Sequence, residues 1–543
     1  MTRNSAKIVA YFSMEIALEK DLKTYAGGLG ILAGDILRSA SRQNFPMLGI
    51  TLLNKHGYFK QVINSKGKQE ELIDRSNLKK LELLSFKMYI NIGLDKVLFR
   101  VWRYFLRHDD GLKIPIYFLD TDWPENREKH RRLCENLYPG DKRKKLKQAI
   151  LLGRGGVKLL NKIGLEKISK IHLNEGHGAL AAIELFLSSK ESSEASKIKD
   201  VRRRLVFTTH TPVPSGHDIF FGEFLLKYQP DFPVQIKEII ENDTINFTKL
   251  ALFFSSYSNG VSKKHSRVSR DMFPDFEINS ITNGVESSFW SAPEMMSLFD
   301  KHVPGWRHNN TLLRKAQKIS LGEIKEAHLV AKKRLIKFIA KQKKVNFIED
   351  ALIITFARRF APYKRPTMLL SDLNRLKNIN KSTGPIQIIY AGKAHPDDEV
   401  GRTLISEVNK KISDISREIK IVFLENYDFE MAKLLVSGSD IWLNNPALPN
   451  EASATSGMKA AHNGIMQIST FDGWWPEGYV KNKTGWTIEE VNDLYDILER
   501  KVLPLYYHYP EKWLKMMRST IALNASYFNT DRVLKEYIKK AYR

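Results

Sequence analysis

Between residues 445 and 464 the chain reads NPALPNEASATSGMKAAHNG, a run of Ser, Ala, Thr and Gly that leads into a single lysine, Lys459. Small residues let the backbone come close to a ligand, and hydroxyls with N–H groups can hold a phosphate. A lysine in such a setting can form a Schiff base with an aldehyde cofactor. A helical lysine is more often simply solvated, so the segment is suggestive by itself and no more. A second segment, ARRFAPYKRP at residues 357–366, gathers Arg358, Arg359, Lys364 and Arg365 around one Pro-Tyr turn after the apolar run LIITF. Basic helix faces are common and solvated. Here the cations fall at the carboxyl end of a strand-like run, and the arginine fork suits bidentate contact with phosphate, which favours anion binding.

Three weaker signals accompany these. YAGGLGILAGD at residues 25–35 sets Gly27 and Gly28 where backbone N–H groups can approach an anion at a helix start; a tight turn reads equally well, and the dinucleotide fingerprint G-x-G-x-x-G is absent. IHLNEGHG (171–178) and TTHTPVPSGHD (208–218) carry Glu175, His177 and His210. Neither has H-E-x-x-H spacing and no cysteine ligands stand near, so no metal site is expected. Glu175 beside His177 is suited to positioning a polyol.

The elements that must position these groups alternate. Short apolar runs at residues 7–12, 171–173, 204–208, 352–356, 386–390, 419–424 and 464–469 end in Gly, Pro, Asn or His clusters. Between them lie stretches of helical period, such as 145–163 and 429–437, a Lys-rich stretch from about 312 to 344, and a helical tail from 510 to 543. Such alternation predicts an α/β fold with parallel sheets, whose ligands sit at the carboxyl ends of the strands. The segment 278–290 (INSITNGVESSFW) divides the chain, giving two Rossmann-like halves over 1–285 and 286–509, with 510–543 capping or crossing back. The polar stretch 188–199 reads as a surface loop.

Bulk properties narrow the function classes. A chain of 543 residues exceeds one ordinary core. Apolar residues at 43% and charged residues at 27% exclude disorder or coiled coil for the whole. Lys and Arg outnumber Asp and Glu by 86 to 61, a formal charge of +25. With no nucleic-acid motif, a solvated basic surface is the simpler account, and nucleic acid is not expected as a partner. Cys134 is the single cysteine, which rules out a disulfide within the chain and fits a reducing, cytoplasmic setting. No apolar run is long enough for a membrane span, and the start lacks the features of a signal peptide.

Taken in order, the motifs resemble the α-glucan phosphorylase family, in its short form. SMEIALEKDLKTYAGGLGILAGDILRSA, LYPGDKRKKLKQAILLGRGGVKLL, IHLNEGHGALAAIEL, FTTHTPVPSGHD and ITNGVESSFW are followed by RRFAPYKRP, YAGKAHP, FLENYD and EASATSGMKAAHNG, covering about residues 7–480. The resemblance implies the GT-B fold, two Rossmann-like domains facing a central cleft. It implies pyridoxal 5'-phosphate as cofactor, with Lys459 holding it as a Schiff base. Thr455 and Ser456 would grip its phosphate with help from Gly27 and Arg358, and Tyr427 would lie beside its ring. Arg359 and Lys364 would bind the substrate phosphate, with Gly28 lending an N–H. Asn283, Glu451, Ser453 and His210 would hydrogen-bond the glucosyl unit, and the His210 carbonyl would face the anomeric carbon.

The implied reaction is reversible phosphorolysis of an α-1,4-glucan at its non-reducing end, giving glucose 1-phosphate with retention. The cofactor phosphate would act as acid and base toward the substrate phosphate. An adjacent dianion would stabilise an oxocarbenium-like centre, so no glycosidase-type carboxylate pair is required. The family resemblance favours a homodimer. Two departures stand out: Ala454 replaces the Gly of the usual E-A-S-G-T run, and Asp428 follows Tyr427 where the larger animal enzymes carry a basic residue, as in other short forms. The chain also starts almost at the first motif, implying that the N-terminal control region of larger relatives is lacking. Two alternatives remain at this level. A nucleotide-sugar-dependent glucan synthase of the same fold would not need Lys459, and typically has Lys where Tyr25 stands. A non-catalytic glucan-binding protein should have lost Lys459, Arg359 or Lys364.

Overall fold

The computed structural model describes residues 8–164 and 167–543; the first residues, read above for a signal peptide, lie partly outside these. The chain divides into two compact units. One contains the chain up to Phe59, Ile73–Thr282 and Val533–Arg543; the other contains Lys60–Leu72 and Asn283–Arg532. Two short pieces therefore leave sequence order: a thirteen-residue hairpin near the N-terminus joins the second unit, and the last residues join the first.

The first two strands, β1 (Ile8–Ser13) and β2 (Met47–Leu52), belong to the first unit, while β3 (Lys60–Ile63) and β4 (Gln69–Leu72) form the hairpin of the second. The first unit continues with β5 (Glu82–Leu83), β6 (Met88–Ile92), β7 (Asp95–Leu106), β8 (Ile114–Asp120), β9 (Ile168–Asn174), β10 (Leu205–Thr208), β11 (Ile219–Phe221), β12 (Thr244–Asn246), β13 (Tyr257–Gly260) and β14 (Asn279–Ser280). The second continues with β15 (Leu352–Ala357), β16 (Ile386–Ala391), β17 (Lys420–Leu424), β18 (Ile441–Asn444), β19 (Met466–Thr470) and β20 (Gly485–Ile488).

The six strands of the second unit run in the order β17-β16-β15-β18-β19-β20, and every pair is parallel. This is the doubly wound order 3-2-1-4-5-6, whose direction reverses between β15 and β18 and leaves a ligand crevice at their carboxyl ends. The first unit repeats the wiring. Its sheet runs β14-β13-β10-β9-β1-β2-β8-β7-β5, parallel from β14 to β8, with β7 and β5 antiparallel and β6 pairing β7. Its reversal lies between β1 and β9. The residues that follow these four strands are Met14–Glu15, Glu175–Gly176, Arg358–Arg359 and Asn445–Pro446. The motifs with chemical side chains thus fall at the two switch points.

Burial on both faces follows from this layering. On β1, Ala10 and Phe12 enter one apolar cluster and Val9 and Tyr11 the other, as side-chain alternation requires. The helix Thr530–Lys540 closes the second cluster with Val533, Leu534 and Tyr537. In the second unit the helix Leu321–Lys343 is tied to the sheet by buried Lys332, which donates to Asp440 (2.7 Å), the Ala351 carbonyl (2.9 Å) and Tyr506 (2.9 Å).

Local structure departs from the sequence reading at several points. The Lys-rich stretch is not one helix: a 3-10 run, Asn310–Lys318, stops before Ser320, whose Oγ accepts from Glu323 N and starts a new helix. The polar stretch 188–199 is only half loop, because Ser193 caps a helix over Glu194–Arg204. Stretch 145–163 is interrupted by a π-helical turn at Leu151–Gly155. Among the described residues no helix is long and apolar enough to cross a membrane, and no group of three or more His, Cys, Asp or Glu could hold a metal ion.

Candidate functional site

In the second unit, Arg358 leaves the end of β15 and turns inward, 9% exposed. Its Nη2 donates to Glu451 Oε2 at 2.6 Å, and Lys364, from the single turn Pro362–Lys364, donates to the same oxygen. Glu451 itself follows β18, with its backbone N–H on Asp472 Oδ2 at 2.9 Å. Burial alone would raise the Glu451 carboxyl, but Lys364 and Arg358 hold it down to about 2. The carboxylate joins the two cations through one oxygen. Arg358 also keeps two buried donors, Nε and Nη1, that meet no acceptor among the described residues. Buried guanidinium donors rarely stay unpaired, and an anionic ligand is what such donors suit.

The short helix Thr455–Ala461 begins directly after this carboxylate. Lys459 lies within it, 7% exposed, its Nζ 4.1 Å from the centre of the Trp290 ring. Glycine at 457 leaves room for Gln467, whose Oε1 would lie 1.6 Å from a Cβ built there and would have to move aside. Ser456 Oγ accepts from Trp442 Nε1 at 3.1 Å. His462, Nδ1 on the Met458 carbonyl (2.8 Å) and Nε2 on Ser287 (3.0 Å), anchors the helix end. Ser453 Oγ takes the Asn283 amide at 3.2 Å, which brings two residues 170 apart in sequence to one spot. Tyr427 stands close enough to Arg358 to feel its charge, though burial dominates and raises its phenol. Asp428 caps the helix Phe429–Gly438 through Met431 N at 2.8 Å, so this departure from the larger enzymes has a local structural role. Ala454 adopts φ +63° and ψ 50°, the left-handed region that glycine tolerates best.

These surroundings fit pyridoxal phosphate: a buried lysine over an aromatic ring, an arginine with unpaired donors, and hydroxyls at a helix start. Trp290 had no role in the sequence reading; its neighbour Lys459 identifies it only in three dimensions. Arg359 is exposed, with Nη2 3.4 Å from Tyr363 Oη.

In the first unit, Gly27 and Gly28 open the helix Gly28–Arg42, which has no side-chain cap. Both are exposed, and a Cβ on either would meet no protein atom within 4 Å. The Gly27 N–H is already committed, donating to Glu15 Oε2 at 3.1 Å beside the Ala26 N–H at 2.5 Å. Tyr138 Oη donates to Glu15 Oε1 at 2.9 Å. Burial raises the Glu15 carboxyl against these donors. Glu15 and Tyr138 shape the glycine loop and were not singled out from the sequence; no short motif marks a carboxylate that serves a loop eleven residues away.

Glu175, with φ +74°, accepts His210 N at 2.7 Å and Thr211 Oγ1 at 2.9 Å on Oε2, and Gly176 N at 3.0 Å on Oε1. It brackets the His210–Thr211 peptide. His210 Nε2 lies 2.7 Å from Asn174 Oδ1, and burial lowers its ring to about 3, so the imidazole is neutral. His177 is lowered to about 4 by burial and lies 4.0 Å from Asp218.

Residues 220–476 match the model of the family described as carbohydrate phosphorylase. Over 98% of its length the chain is 38% identical to the maltodextrin phosphorylase of Thermococcus litoralis, of which it covers 70%. It is 34% identical over 99% of its length to the glycogen phosphorylase of Aquifex aeolicus, covering 86% of that protein. Against the glycogen phosphorylase of Mycobacterium tuberculosis it is 33% identical over 98% of its length and covers 70% of that protein. The chain belongs to the carbohydrate phosphorylase family.

Proposed function

We propose that this protein is an α-1,4-glucan phosphorylase that releases glucose 1-phosphate from the non-reducing end of its glucan, with retention, and runs in reverse. The carrying observation is the joint placement of Lys459 over Trp290 and of Arg358 and Lys364 on Glu451. When bound, pyridoxal phosphate would supply an ionisable phosphate group as acid and base. Lys459 would hold the cofactor, Tyr427 would flank it, and Arg358 with Thr455 and Ser456 would bind its phosphate. Lys364 and Arg359 hold the substrate phosphate.

The two cations offset the repulsion between closely held phosphates. Glu451 Oε1 accepts a sugar hydroxyl, while Ser453 and Asn283 bind others. In the first unit, Glu175 fixes the His210 backbone, and burial keeps the ring of His210 neutral. The bond from the anomeric carbon to the glycosidic oxygen breaks, a bond to a phosphate oxygen forms, and the departing oxygen takes a proton from the substrate phosphate.

The test is phosphate-dependent release of glucose 1-phosphate from maltodextrin, run with the near-ultraviolet absorption spectrum. Borohydride reduction and peptide mapping should place a pyridoxyl group on Lys459. A labelled peptide elsewhere, or glucan extension that requires a nucleotide sugar, would overturn the reading.

A further inference from the structure

The hairpin β3–β4 carries two glutamines, Gln61 and Gln69, each 1% exposed. Gln61 meets two loops at the carboxyl ends of neighbouring strands. Its Nε2 donates to the Gly392 carbonyl at 2.8 Å, just past β16, and to Gln69 Oε1 at 2.9 Å. Its Oε1 accepts the Asn426 N–H at 2.9 Å, and its own N–H donates to Asn426 Oδ1 at 3.2 Å, just past β17. Gln69 completes the set, donating to the Ala394 carbonyl (3.0 Å) and accepting the Ala394 N–H (3.0 Å).

Both loops are contiguous with groups assigned to the cofactor. Arg358 N donates to Ala391 O at 3.1 Å and Phe360 N to Lys393 O at 2.9 Å, so the segment around Gly392 carries the backbone of Arg358. The packing is tight: Gly392 has φ +145°, and a Cβ there would fall 1.9 Å from the Arg358 carbonyl oxygen. Asn426, at φ +57°, immediately precedes Tyr427. A left-handed residue of this kind persists where its surroundings hold it, and Gln61 supplies two of those restraints.

We infer that Gln61 is a positioning residue for the cofactor end of the site, holding the Gly392 loop behind Arg358 and the Asn426 turn before Tyr427 with one side chain. The inference rests on the cofactor assignment above. It gives a physical reason for the hairpin to fold with the second unit: a glutamine satisfies a carbonyl and an N–H together, and Gln61 does so across the two loops.

The test compares the full chain with Gln61→Met, which keeps the length and loses the side-chain bonds to both loops and to Gln69, and with Gln61→Glu, which keeps the acceptor for Asn426 and loses the donor to Gly392 and Gln69. Asn64→Gly serves as the control; it loosens the hairpin turn, where Asn64 Oδ1 accepts Lys66 N and Lys68 N, without touching either loop. Pyridoxal phosphate is titrated into each apoprotein by absorption, and amide exchange is followed over 390–395 and 424–428. Gln61→Met should weaken cofactor binding by about ten- to a hundredfold, as misplacement of a contacting group does, and speed exchange in both segments. Gln61→Glu should speed exchange at 390–395 alone. Parental affinity and exchange in Gln61→Met overturn the inference, as does an equal loss in Asn64→Gly. A parent that binds no pyridoxal phosphate sinks the functional reading instead, and exchange in the two segments then decides the role of Gln61 by itself. Should Gln61→Met fail to fold, Gln61→Glu carries the same decision.

Discussion

Arg358 Nη2 lies 2.6 Å from Glu451 Oε2, a buried ion pair between residues 93 apart in the chain, and Lys364 shares that oxygen. Removing one member of a buried pair costs more than the pair itself is worth, because the remaining charge is stranded. Glu451→Gln should therefore destabilise the chain by about 3–5 kcal/mol and abolish phosphorolysis. Adding Lys364→Met to it should recover part of the stability and none of the activity. Urea unfolding of the two single variants and the double variant measures this; additive losses would show that the residues are not coupled.

Ala454 occupies a left-handed conformation at φ +63°. Its Cβ costs about 1 kcal/mol there relative to glycine. Ala454→Gly should raise the unfolding midpoint accordingly and lower KM for glucose 1-phosphate in the synthetic direction, with cofactor content unchanged. A variant that binds sugar phosphate no better would show that the strain does not reach the sugar.

The glycine loop depends on Glu15. Glu15→Ala frees the Ala26 and Gly27 N–H groups and the Tyr138 hydroxyl. The loop should shift and KM for phosphate should rise by about tenfold or more, the scale of losing charge-assisted hydrogen bonds. Tyr138→Phe removes one bond and should have the smaller effect. Phosphate kinetics on the two variants, with melting temperatures alongside, would distinguish this from general unfolding.

Acid should weaken the fold in two windows. Burial holds His172 and His210 near 3 and His177 and His462 near 4, all below the unfolded value of 6.5. The unfolded chain then binds more protons, so stability falls as pH drops from about 6.5 toward 4. Glu15 and Glu175, raised by burial, work the other way over part of that range. Glu451, held at about 2, contributes stability that is full above about pH 4.5 and is lost toward pH 2. Urea midpoints between pH 4.5 and 6.5 should show net proton uptake on unfolding of more than one. A flat profile would contradict the buried neutral histidines.

The alternation of apolar runs with helical periods determined parallel α/β sheets, because strands buried on both faces are nearly continuous apolar runs, as β15 and β16 are apart from Thr355 and Gln387. Dense motifs in family order likewise brought Lys459, Arg358, Lys364 and Glu451 to notice. Local pattern fails where the deciding partner is distant. Ser320 interrupts the Lys-rich stretch by capping, Glu15 and Glu175 spend their oxygens on backbone N–H groups, and Trp290 reaches Lys459 from 169 residues away. The hairpin at 60–72 reads as part of the first half of the chain. Only packing reveals that Gln61 and Gln69 satisfy loop groups after β16 and β17, since a hydrogen bond depends on distance in space and leaves no period in the sequence.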